Sequence, residues 1–312
     1  MITTITLNAA LDTTYYLPSF TLGRTNRLKD LHVEPGGKGI NVAKVLYSLG
    51  EKIIAGGFVG GSNGMKITEL LEERNIPHEF VNIQEDSRVC LTIINEEIKE
   101  ETEILEQGPT ITDEEWSTIC DYVKKAATKS KIITLAGSLP KGVPVDGYSQ
   151  LIEIIQQNGS KAILDTSGEP LRHGLNSGPF AVKPNEHELR QLINKEILTL
   201  TDAIDAGKNL LKKGVQYVCI SLGGEGALLL NQEEVYHVKA PEIEVVNTIG
   251  CGDAMLAGLA SGFDKELPIE QILSLATACG AANALQPYAG KVDLDDIEHL
   301  RKDIEVFRLN HI

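Results

Sequence analysis

The chain has 312 residues, of which 42% are hydrophobic and 23% charged, which is the composition of an ordinary globular protein. Its 29 Lys and Arg stand against 44 Asp and Glu, so the formal net charge is -15. This charge argues against nucleic acid and against an anionic membrane surface as partners, although a few local cations can still bind a small anion.

The cysteines and the N-terminus indicate a cellular compartment. There are 5 cysteines, an odd number, and no Cys-x-x-Cys pair, which favours a reducing compartment over a disulfide framework. The first residues lack the basic start and long apolar core of a signal peptide, and no apolar run of about 18 residues predicts a membrane span. We therefore expect a cytoplasmic protein.

In chain order, segments with strand character alternate with segments of helical period. Strands are predicted at 2–7, 53–59, 131–136, 161–166, 180–182, 217–222, 226–230, 234–238 and 304–308. Helices are predicted at 40–49, 65–74, 113–127, 146–157, 169–175, 186–193, 201–213, 254–263, 268–285 and 293–302. This alternation predicts an α/β fold with a mainly parallel sheet that is covered on both faces.

Two segments, at about 12–35 and 87–108, depart from that alternation. The first contains short strands at 15–17 and 28–34, and the second a hairpin of 88–95 with 101–105. Their charged and β-branched residues suit an exposed sheet. We expect the two segments to form a small lid on one domain that spans 1–312, because the sequence has no internal repeat and no linker.

A Gly-rich stretch, Asn247-Thr-Ile-Gly-Cys-Gly-Asp253, precedes the predicted helix at 254–263. A glycine turn that opens a helix exposes backbone N–H groups and the positive end of the helix dipole, and both favour an anion. Asp253 would lie beside that anion, where a carboxylate can act as general base for a hydroxyl that attacks a phosphate. Taken alone, the stretch favours an aspartate that only caps the helix, because Gly-Xaa-Gly-Asp is a weak signal.

A second Gly-rich turn, Gly36-Gly-Lys-Gly-Ile-Asn41, opens the predicted helix at 40–49. It is not a P-loop, because its lysine is followed by glycine rather than Ser or Thr, and it is not a dinucleotide fingerprint. It is either a plain turn with a helix cap or a polar substrate pocket. In the pocket, Lys38 would supply a charge and Asn41 would bind a sugar hydroxyl.

Two further turns follow predicted strands. The turn 221–226, Ser-Leu-Gly-Gly-Glu-Gly, is either a tight hairpin or a backbone cradle for phosphates at the carboxyl end of the sheet. In Lys183-Pro-Asn-Glu-His-Glu188, a three-residue spacing puts Asn185 and Glu188 on one helix face. That spacing suits water-mediated binding of Mg²⁺ and equally suits a capping box.

Arginines in the two lid segments are candidates for binding a phosphate. Arg27 lies in the first segment and Arg88 in the second. A guanidinium can bind phosphate through two parallel hydrogen bonds. The pair is therefore either two surface residues or a clamp that lid closure brings together. The 7 histidines show no metal-ligand spacing.

Six motifs occur in a fixed order along the chain. They are Asn8-Ala-Ala-Leu-Asp12, Gly36-Gly-Lys-Gly-Ile-Asn41, Ala136-Gly-Ser-Leu-Pro140, Lys183-Pro-Asn-Glu-His-Glu188, Ser221-Leu-Gly-Gly-Glu-Gly226 and Thr248-Ile-Gly-Cys-Gly-Asp253. Together they resemble the PfkB branch of the ribokinase family over essentially the whole chain. Within that branch, the second motif and Glu103-Ile-Leu-Glu-Gln-Gly-Pro109 are similar to the tagatose-6-phosphate kinase and 1-phosphofructokinase group. The resemblance implies a ribokinase-like three-layer α/β/α core with a small β-sheet lid.

The resemblance also implies site roles. Asp253 is the expected catalytic base, and the anion hole is expected from the backbone amides of Gly250, Cys251 and Gly252. The sugar and its phosphate are expected at Asp12, Arg27, Gly37, Lys38, Asn41, Arg88 and Ser138. The ATP site is expected at Lys183, Asn185, Ser221, Gly223 and Gly226, with Asn283 at the adenine, and Mg²⁺ is expected at Asn185 and Glu188.

One position departs from the family pattern. Cys251 stands where the family usually has Ala or Ser. Backbone donors do not depend on the side chain, so activity is expected to survive. A thiol at a helix N-terminus is expected to have a lowered pKa and to be oxidisable.

These features together predict a kinase that uses ATP and Mg²⁺ to convert a ketohexose phosphate into a 1,6-bisphosphate, with K⁺ as a further candidate cofactor. Tagatose 6-phosphate is slightly favoured over fructose 1-phosphate. A ribose or nucleoside kinase is an alternative, against which the two arginines argue. A non-catalytic sugar-phosphate sensor is an alternative of another class, against which Asp253 argues. Unpaired lid edges predict a homodimer through the lid.

Overall fold

The computed structural model describes residues 1–309, which contain a ten-stranded sheet in the order β14-β13-β12-β11-β10-β9-β8-β1-β4-β5. Its strands are β1 (Ile2–Thr6), β4 (Ile53–Gly60), β5 (His78–Ile83), β8 (Ile132–Ala136), β9 (Lys161–Asp165), β10 (Ala181–Val182), β11 (Tyr217–Ser221), β12 (Ala227–Leu230), β13 (Val235–Val238) and β14 (Val306–Arg308). The strands from β5 to β11 in this order pair in parallel, and β12, β13 and β14 are antiparallel. The predicted mainly parallel sheet is confirmed.

Helices cover both faces of this sheet. They are α1 (Lys38–Ser48), α2 (Gly61–Glu73), α3 (Asp113–Ala127), α4 (Gly147–Gln157), α5 (Gly168–Gly174), α6 (Glu186–Ile193), α7 (Leu200–Leu211), α8 (Cys251–Asp264), α9 (Ile269–Ala284) and α10 (Leu294–Asp303). Residues of one strand alternate between two cores: Ile2 packs with α1, α8 and α9, whereas Ile5 packs with α3 and α4. The three-layer α/β/α arrangement follows from that alternation.

The two irregular segments form one small sheet, here called the lid sheet. Its strands are β2 (Ala10–Leu17), β3 (Asp30–Gly36), β6 (Arg88–Asn95) and β7 (Glu100–Leu105), in the order β3-β2-β6-β7. The parallel pairing of β2 with β6 joins the two segments, as predicted. All six residues of β7 are exposed. The homodimer through this sheet stays a prediction.

The largest difference from the predicted elements is β5, which the sequence pattern did not reveal. Its residues, His-Glu-Phe-Val-Asn-Ile, mix polar and apolar positions because the strand lies at the edge of the large sheet. Helix α8 begins at Cys251, earlier than the predicted 254, so Asp253 lies in its first turn. The predicted single domain over 1–312 stays a prediction, and its residues 310–312 lie outside the described part. Among residues 1–309, we find no helix that is both long and apolar enough to span a membrane.

Candidate active site

A cleft of about 1170 Å³ separates the lid sheet from the large sheet. It is lined on one side by residues of β2, β6 and β7, and on the other by residues that follow β10 and β11. In parallel sheets, ligands bind beyond the carboxyl ends of the strands. The predicted site residues all line this cleft except Arg27, Ser138 and Asn283.

The turn at Gly250 opens helix α8 at the surface of the cleft. Gly250 has a φ of 82°, and a Cβ at this position would lie 2.7 Å from the Ala289 Cβ, so only glycine fits. The Cys251 N–H donates only a long bond, 3.4 Å, to the Thr248 carbonyl oxygen. The turn therefore has the form of an anion site at a helix N-terminus.

Asp253, in the first turn of α8, is only 6% exposed. Its Oδ2 accepts a hydrogen bond of 2.9 Å from Nδ2 of Asn41, which lies on α1. Burial raises the pKa of Asp253 to about 6, while Lys38 and Lys183 oppose the rise. A carboxylate with that pKa is ionised near neutrality and is a better proton acceptor than an exposed aspartate.

Two lysines beside the anion turn are held by a carboxylate that the sequence analysis missed. Asp165, buried at the end of β9, lies 3.5 Å from the Lys38 Nζ and 3.3 Å from the Lys183 Nζ. Burial favours a higher pKa for Asp165, but the two ammonium groups outweigh it and keep that pKa below its usual range. A Cβ on Gly252 would lie 3.4 Å from the Lys183 Nζ. Both cations are thus fixed near the place where a phosphate would bind.

On the lid side, Asp12 is the third residue of β2 and Arg88 is the first residue of the neighbouring β6. Burial raises the pKa of Asp12 to about 6, against the charges of Lys44 and Arg88. The Arg88 Nε donates to the Asn8 carbonyl oxygen at 3.3 Å, and its Nη1 donates to the Glu106 carbonyl oxygen at 3.1 Å. These bonds use two of the five N–H groups of the guanidinium, so it keeps donors for a ligand.

Two predicted substrate residues do not lie where the prediction needs them. Arg27 is exposed in the loop 18–29 and does not line the cleft, so in this chain it does not meet Arg88 at one site. Ser138 is also outside the cleft, and its Oγ accepts a hydrogen bond of 3.1 Å from the Asn8 Nδ2. Ser138 therefore supports the base of the lid, because the same Asn8 amide also donates to the Gln107 carbonyl oxygen at 3.0 Å.

Asn185 and Glu188 form a capping box, which is one of the two interpretations that their spacing allowed. The Asn185 Oδ1 accepts from the Glu188 N–H at 2.8 Å, and the Glu188 Oε2 accepts from the Asn185 N–H at 2.9 Å. Both residues also line the cleft. Carboxylate and amide oxygens are the ligand type that Mg²⁺ takes, directly or through its waters, so these residues fit the ion.

The turn 221–226 is likewise both a hairpin and part of the cleft. It joins the antiparallel strands β11 and β12, and the Leu222 N–H donates to the Gly226 carbonyl oxygen at 2.9 Å. Gly226 has a φ of 96°, and a Cβ there would lie 1.9 Å from the Val238 carbonyl oxygen. Ser221, Gly223 and Gly226 line the cleft, so the turn forms part of its wall.

Two further expectations concern Asn283 and Cys251, which lie at the anion turn. Asn283 is fully buried and does not line the cleft; its Nδ2 donates to the Ile249 carbonyl oxygen at 2.9 Å, and its Oδ1 accepts from the Gly290 N–H at 2.8 Å. It therefore holds the anion turn, and its predicted place at the adenine stays a prediction. The Cys251 thiol has a raised pKa, because burial outweighs the hydrogen bond from Asn283. The expected reactive thiolate is not supported.

Residues 5–296 of the chain match the model of the pfkB family of carbohydrate kinases. The chain belongs to this family. It is 36% identical to the tagatose-6-phosphate kinase of Staphylococcus epidermidis and 36% identical to the 1-phosphofructokinase of Bacillus subtilis. Each of these alignments covers 99% of this chain and 100% of the relative.

Solved structures give the same family. The crystal structure of Escherichia coli phosphofructokinase-2 in complex with potassium has a TM-score of 0.93 to this chain at 30% identity, covering 97% of this chain and 98% of that one. The same enzyme in complex with fructose-6-phosphate has a TM-score of 0.89 at 28% identity, with the same coverage. The ribokinase-like fold and the carbohydrate kinase class that the motifs predicted are confirmed.

Proposed function

We propose that this pfkB-family enzyme transfers the γ-phosphoryl group of ATP to a ketohexose phosphate and gives the 1,6-bisphosphate. The observation that carries the proposal is a buried carboxylate, Asp253, in the first turn of a glycine-opened helix, with two lysines beside it and an arginine on the lid. Phosphoryl transfer needs a positioned hydroxyl, a base and neutralised phosphate charge, and this cleft contains groups for each.

In the proposed reaction, the sugar hydroxyl attacks the γ-phosphorus while its proton passes to the carboxylate of Asp253. A new O–P bond forms, the bond between the γ-phosphorus and the bridging oxygen breaks, and ADP leaves. Asn41 keeps the base oriented through its 2.9 Å hydrogen bond. The amides of the Gly250 turn and the ammonium groups of Lys38 and Lys183 stabilise the charge that develops on the phosphoryl oxygens.

The nucleotide would bind on the opposite side of the cleft from the lid sheet. The backbone of the turn 221–226 and Asn185 would hold the ATP phosphates. Asn185 and Glu188 would hold Mg²⁺, which would neutralise part of the phosphate charge. A monovalent cation such as K⁺ is a further candidate, as one relative was crystallised with potassium.

The substrate would be held from the lid, where Asp12 accepts from sugar hydroxyls and Arg88 binds the phosphate that the sugar already carries. Tagatose 6-phosphate would be phosphorylated at its 1-hydroxyl and fructose 1-phosphate at its 6-hydroxyl. Relatives named for these two activities are equally similar to this chain, so both sugars are proposed, with tagatose 6-phosphate first. The reaction is proposed for the cytoplasm, which suits the free cysteines.

The Arg88→Ala variant tests this assignment. A charge-assisted hydrogen bond contributes roughly 1.5–3 kcal/mol, so losing it should raise the KM for the sugar phosphate about ten- to a hundredfold. The KM for ATP should change little, and the preference for a phosphorylated sugar over the matching free sugar should largely disappear. The measurement is steady-state ADP formation with both sugars.

Arg172→Ala is the matched control for this variant, because Arg172 is an exposed arginine on α5 that does not line the cleft. It should keep wild-type constants for both sugars. An Arg88→Ala enzyme that keeps the full preference for the phosphorylated sugar would show that Arg88 binds no substrate phosphate. The substrate phosphate would then have to be bound by other groups of the cleft.

A further inference from the structure

Lys44 is a buried lysine on α1 that the sequence analysis did not single out. Its side chain is only 9% exposed. The Nζ donates to the Ala289 carbonyl oxygen at 2.7 Å and to the Asn41 Oδ1 at 3.4 Å, and it lies 3.6 Å from the Glu34 Oε2. A buried ammonium is costly unless its donors are satisfied, and this one has three oxygen partners from different parts of the chain.

The first partner ties Lys44 to the anion turn. Ala289 packs directly behind Gly250, since a Cβ on Gly250 would lie 2.7 Å from the Ala289 Cβ and 3.1 Å from the Gly290 nitrogen. Asn283 bridges the same two segments through its bonds to Ile249 and Gly290. Packed groups of this kind cannot shift separately, so the position of Ala289 sets the position of the anion turn.

The second partner ties Lys44 to the catalytic base. The side-chain amide of Asn41 accepts from Lys44 through Oδ1 and donates to Asp253 through Nδ2. If this amide were rotated by half a turn, its NH₂ group would face an ammonium and its oxygen would face a carboxylate. Lys44 therefore fixes the orientation in which Asn41 can hold the base.

The third partner ties Lys44 to the lid. Glu34, on β3 of the lid sheet, also accepts from the Arg74 Nη2 at 2.7 Å and lies 2.8 Å from the His32 Nε2. The lid also contacts the loop that carries Ala289 directly, through Tyr288. Its ring stacks on His32 at 3.9 Å between centroids, and its hydroxyl lies 3.3 Å from the Tyr16 hydroxyl.

We propose that Lys44 is a positioning residue for phosphoryl transfer, acting through Asn41 and Ala289. Lys44 contacts Glu34 of the lid, Asn41, which orients the base, and Ala289, which lies behind the anion turn. These contacts hold the base and the anion turn at a fixed distance and orientation from each other. The inference rests on the proposed kinase function, and it adds a residue that is not among the site residues predicted from the sequence. A misplacement of about 1 Å in such a site can cost about a hundredfold in rate.

Three variants test the role by kinetics. Lys44→Met should lower kcat about ten- to a hundredfold, while the KM values for ATP and for the sugar phosphate change less than about threefold. Lys44→Arg keeps a cationic donor and should recover at least about a third of the wild-type kcat. Lys66→Met is the matched control, because Lys66 is an exposed lysine on α2 that pairs only with Glu69 in the described residues.

The kinetic outcomes are decisive in either direction. A folded Lys44→Met enzyme with wild-type kcat, a loss confined to KM, or a Lys44→Arg enzyme as slow as Lys44→Met overturns the proposal. If Lys44→Met does not fold, Lys44→Gln replaces it, because glutamine keeps an N–H donor without the charge. A tenfold lower kcat in Lys44→Gln then supports the proposal, and a wild-type kcat overturns it.

Hydrogen exchange separates this inference from the proposed function, because it needs no substrate. In a folded Lys44 variant, amides at 247–253 and 286–290 should exchange faster than in the wild type, while those of α4 (Gly147–Gln157) should not change. Unchanged exchange in both segments overturns the proposal. A wild-type protein without kinase activity but with this exchange pattern would contradict the proposed function alone.

Discussion

Asp253→Asn should lower kcat by about 10²–10⁴-fold, which is the contribution that a general base typically makes. An asparagine amide cannot take the proton of the attacking hydroxyl. The substitution is nearly isosteric, and its side-chain oxygen can still accept the hydrogen bond from Asn41, so the KM values for both substrates should change little. Steady-state rates of ADP formation measure the effect, and a variant that keeps more than about a tenth of wild-type kcat would remove Asp253 from the role of base.

Loss of activity in this variant should not come from unfolding. The folded-state pKa of Asp253 is raised from 3.8 to about 6, so the fold favours the neutral form of this group. The associated stability is present at low pH and is lost as pH rises through about 6, so the ionised wild-type group is destabilising at pH 7.5. Asp253→Asn should therefore unfold at an equal or higher temperature at that pH.

Asp264→Asn provides a matched control on the same helix. Asp264 ends α8, does not line the cleft and lies 3.4 Å from the amino group of Met1. The Asp264→Asn variant replaces a carboxylate by an amide, as Asp253→Asn does, but Asp264 has no role in the proposed reaction. We expect wild-type kcat for this variant, so a common loss in both variants would indicate a general effect on α8 rather than on the base.

The pH dependence of kcat/KM should follow from the raised pKa values of the two cleft carboxylates. Asp12 and Asp253 each have a pKa of about 6, in both cases chiefly because they are buried. A base acts in its ionised form, so kcat/KM should be level above about pH 7 and should fall at least tenfold per unit well below pH 6. A profile that stays level down to pH 4.5 would contradict the assignment.

Phosphate esters also titrate near pH 6, so the profile needs a measurement without substrate. A difference proton titration between wild type and Asp253→Asn reports on the free protein. It should show that the wild type takes up about one more proton, with a midpoint near 6. A midpoint near 4, the value for an ordinary aspartate, would assign the kinetic transition to Asp12 or to the substrates instead.

The parts of the site that the sequence predicted are those whose residues lie together in short sequence motifs. Gly250 and Asp253 lie in one turn, and the order of this motif and five others along the chain made the turn a candidate anion site. Asn41 was found in the same way, through a motif that contains glycines, whereas Asp12 was found through the family resemblance alone. The three-layer fold was predictable because long apolar segments with clear periods alternate along the chain.

The parts that were missed depend on contacts between distant segments. Asp165 and Lys44 are single charged residues within apolar segments, and nothing near them in sequence marks their partners. The Lys44–Ala289 bond joins positions 245 residues apart, and the Lys38–Asp165 pair joins positions 127 apart. Only the folded sheet and its crossovers bring such residues together.

Three of the predicted residues have surroundings that the sequence does not report. Asn283 was assigned to adenine from its place in the family pattern, but the chain uses both ends of its amide internally. The thiol of Cys251 was judged from its helix position alone, and burial, which the sequence does not report, decides the direction of its pKa. Arg27 lies in an exposed loop whose position in sequence does not fix its distance from Arg88.

The product formed by the wild-type enzyme from ATP and a phosphorylated ketohexose tests the central claim most directly. Purified enzyme with Mg²⁺ is given tagatose 6-phosphate, fructose 1-phosphate or the free sugars, and ³¹P NMR follows the products. The account predicts one ADP per hexose 1,6-bisphosphate, with kcat/KM at least about tenfold higher for one of the phosphorylated sugars than for its free form. Release of inorganic phosphate without a bisphosphate, or an equal rate with the free sugar, would contradict it.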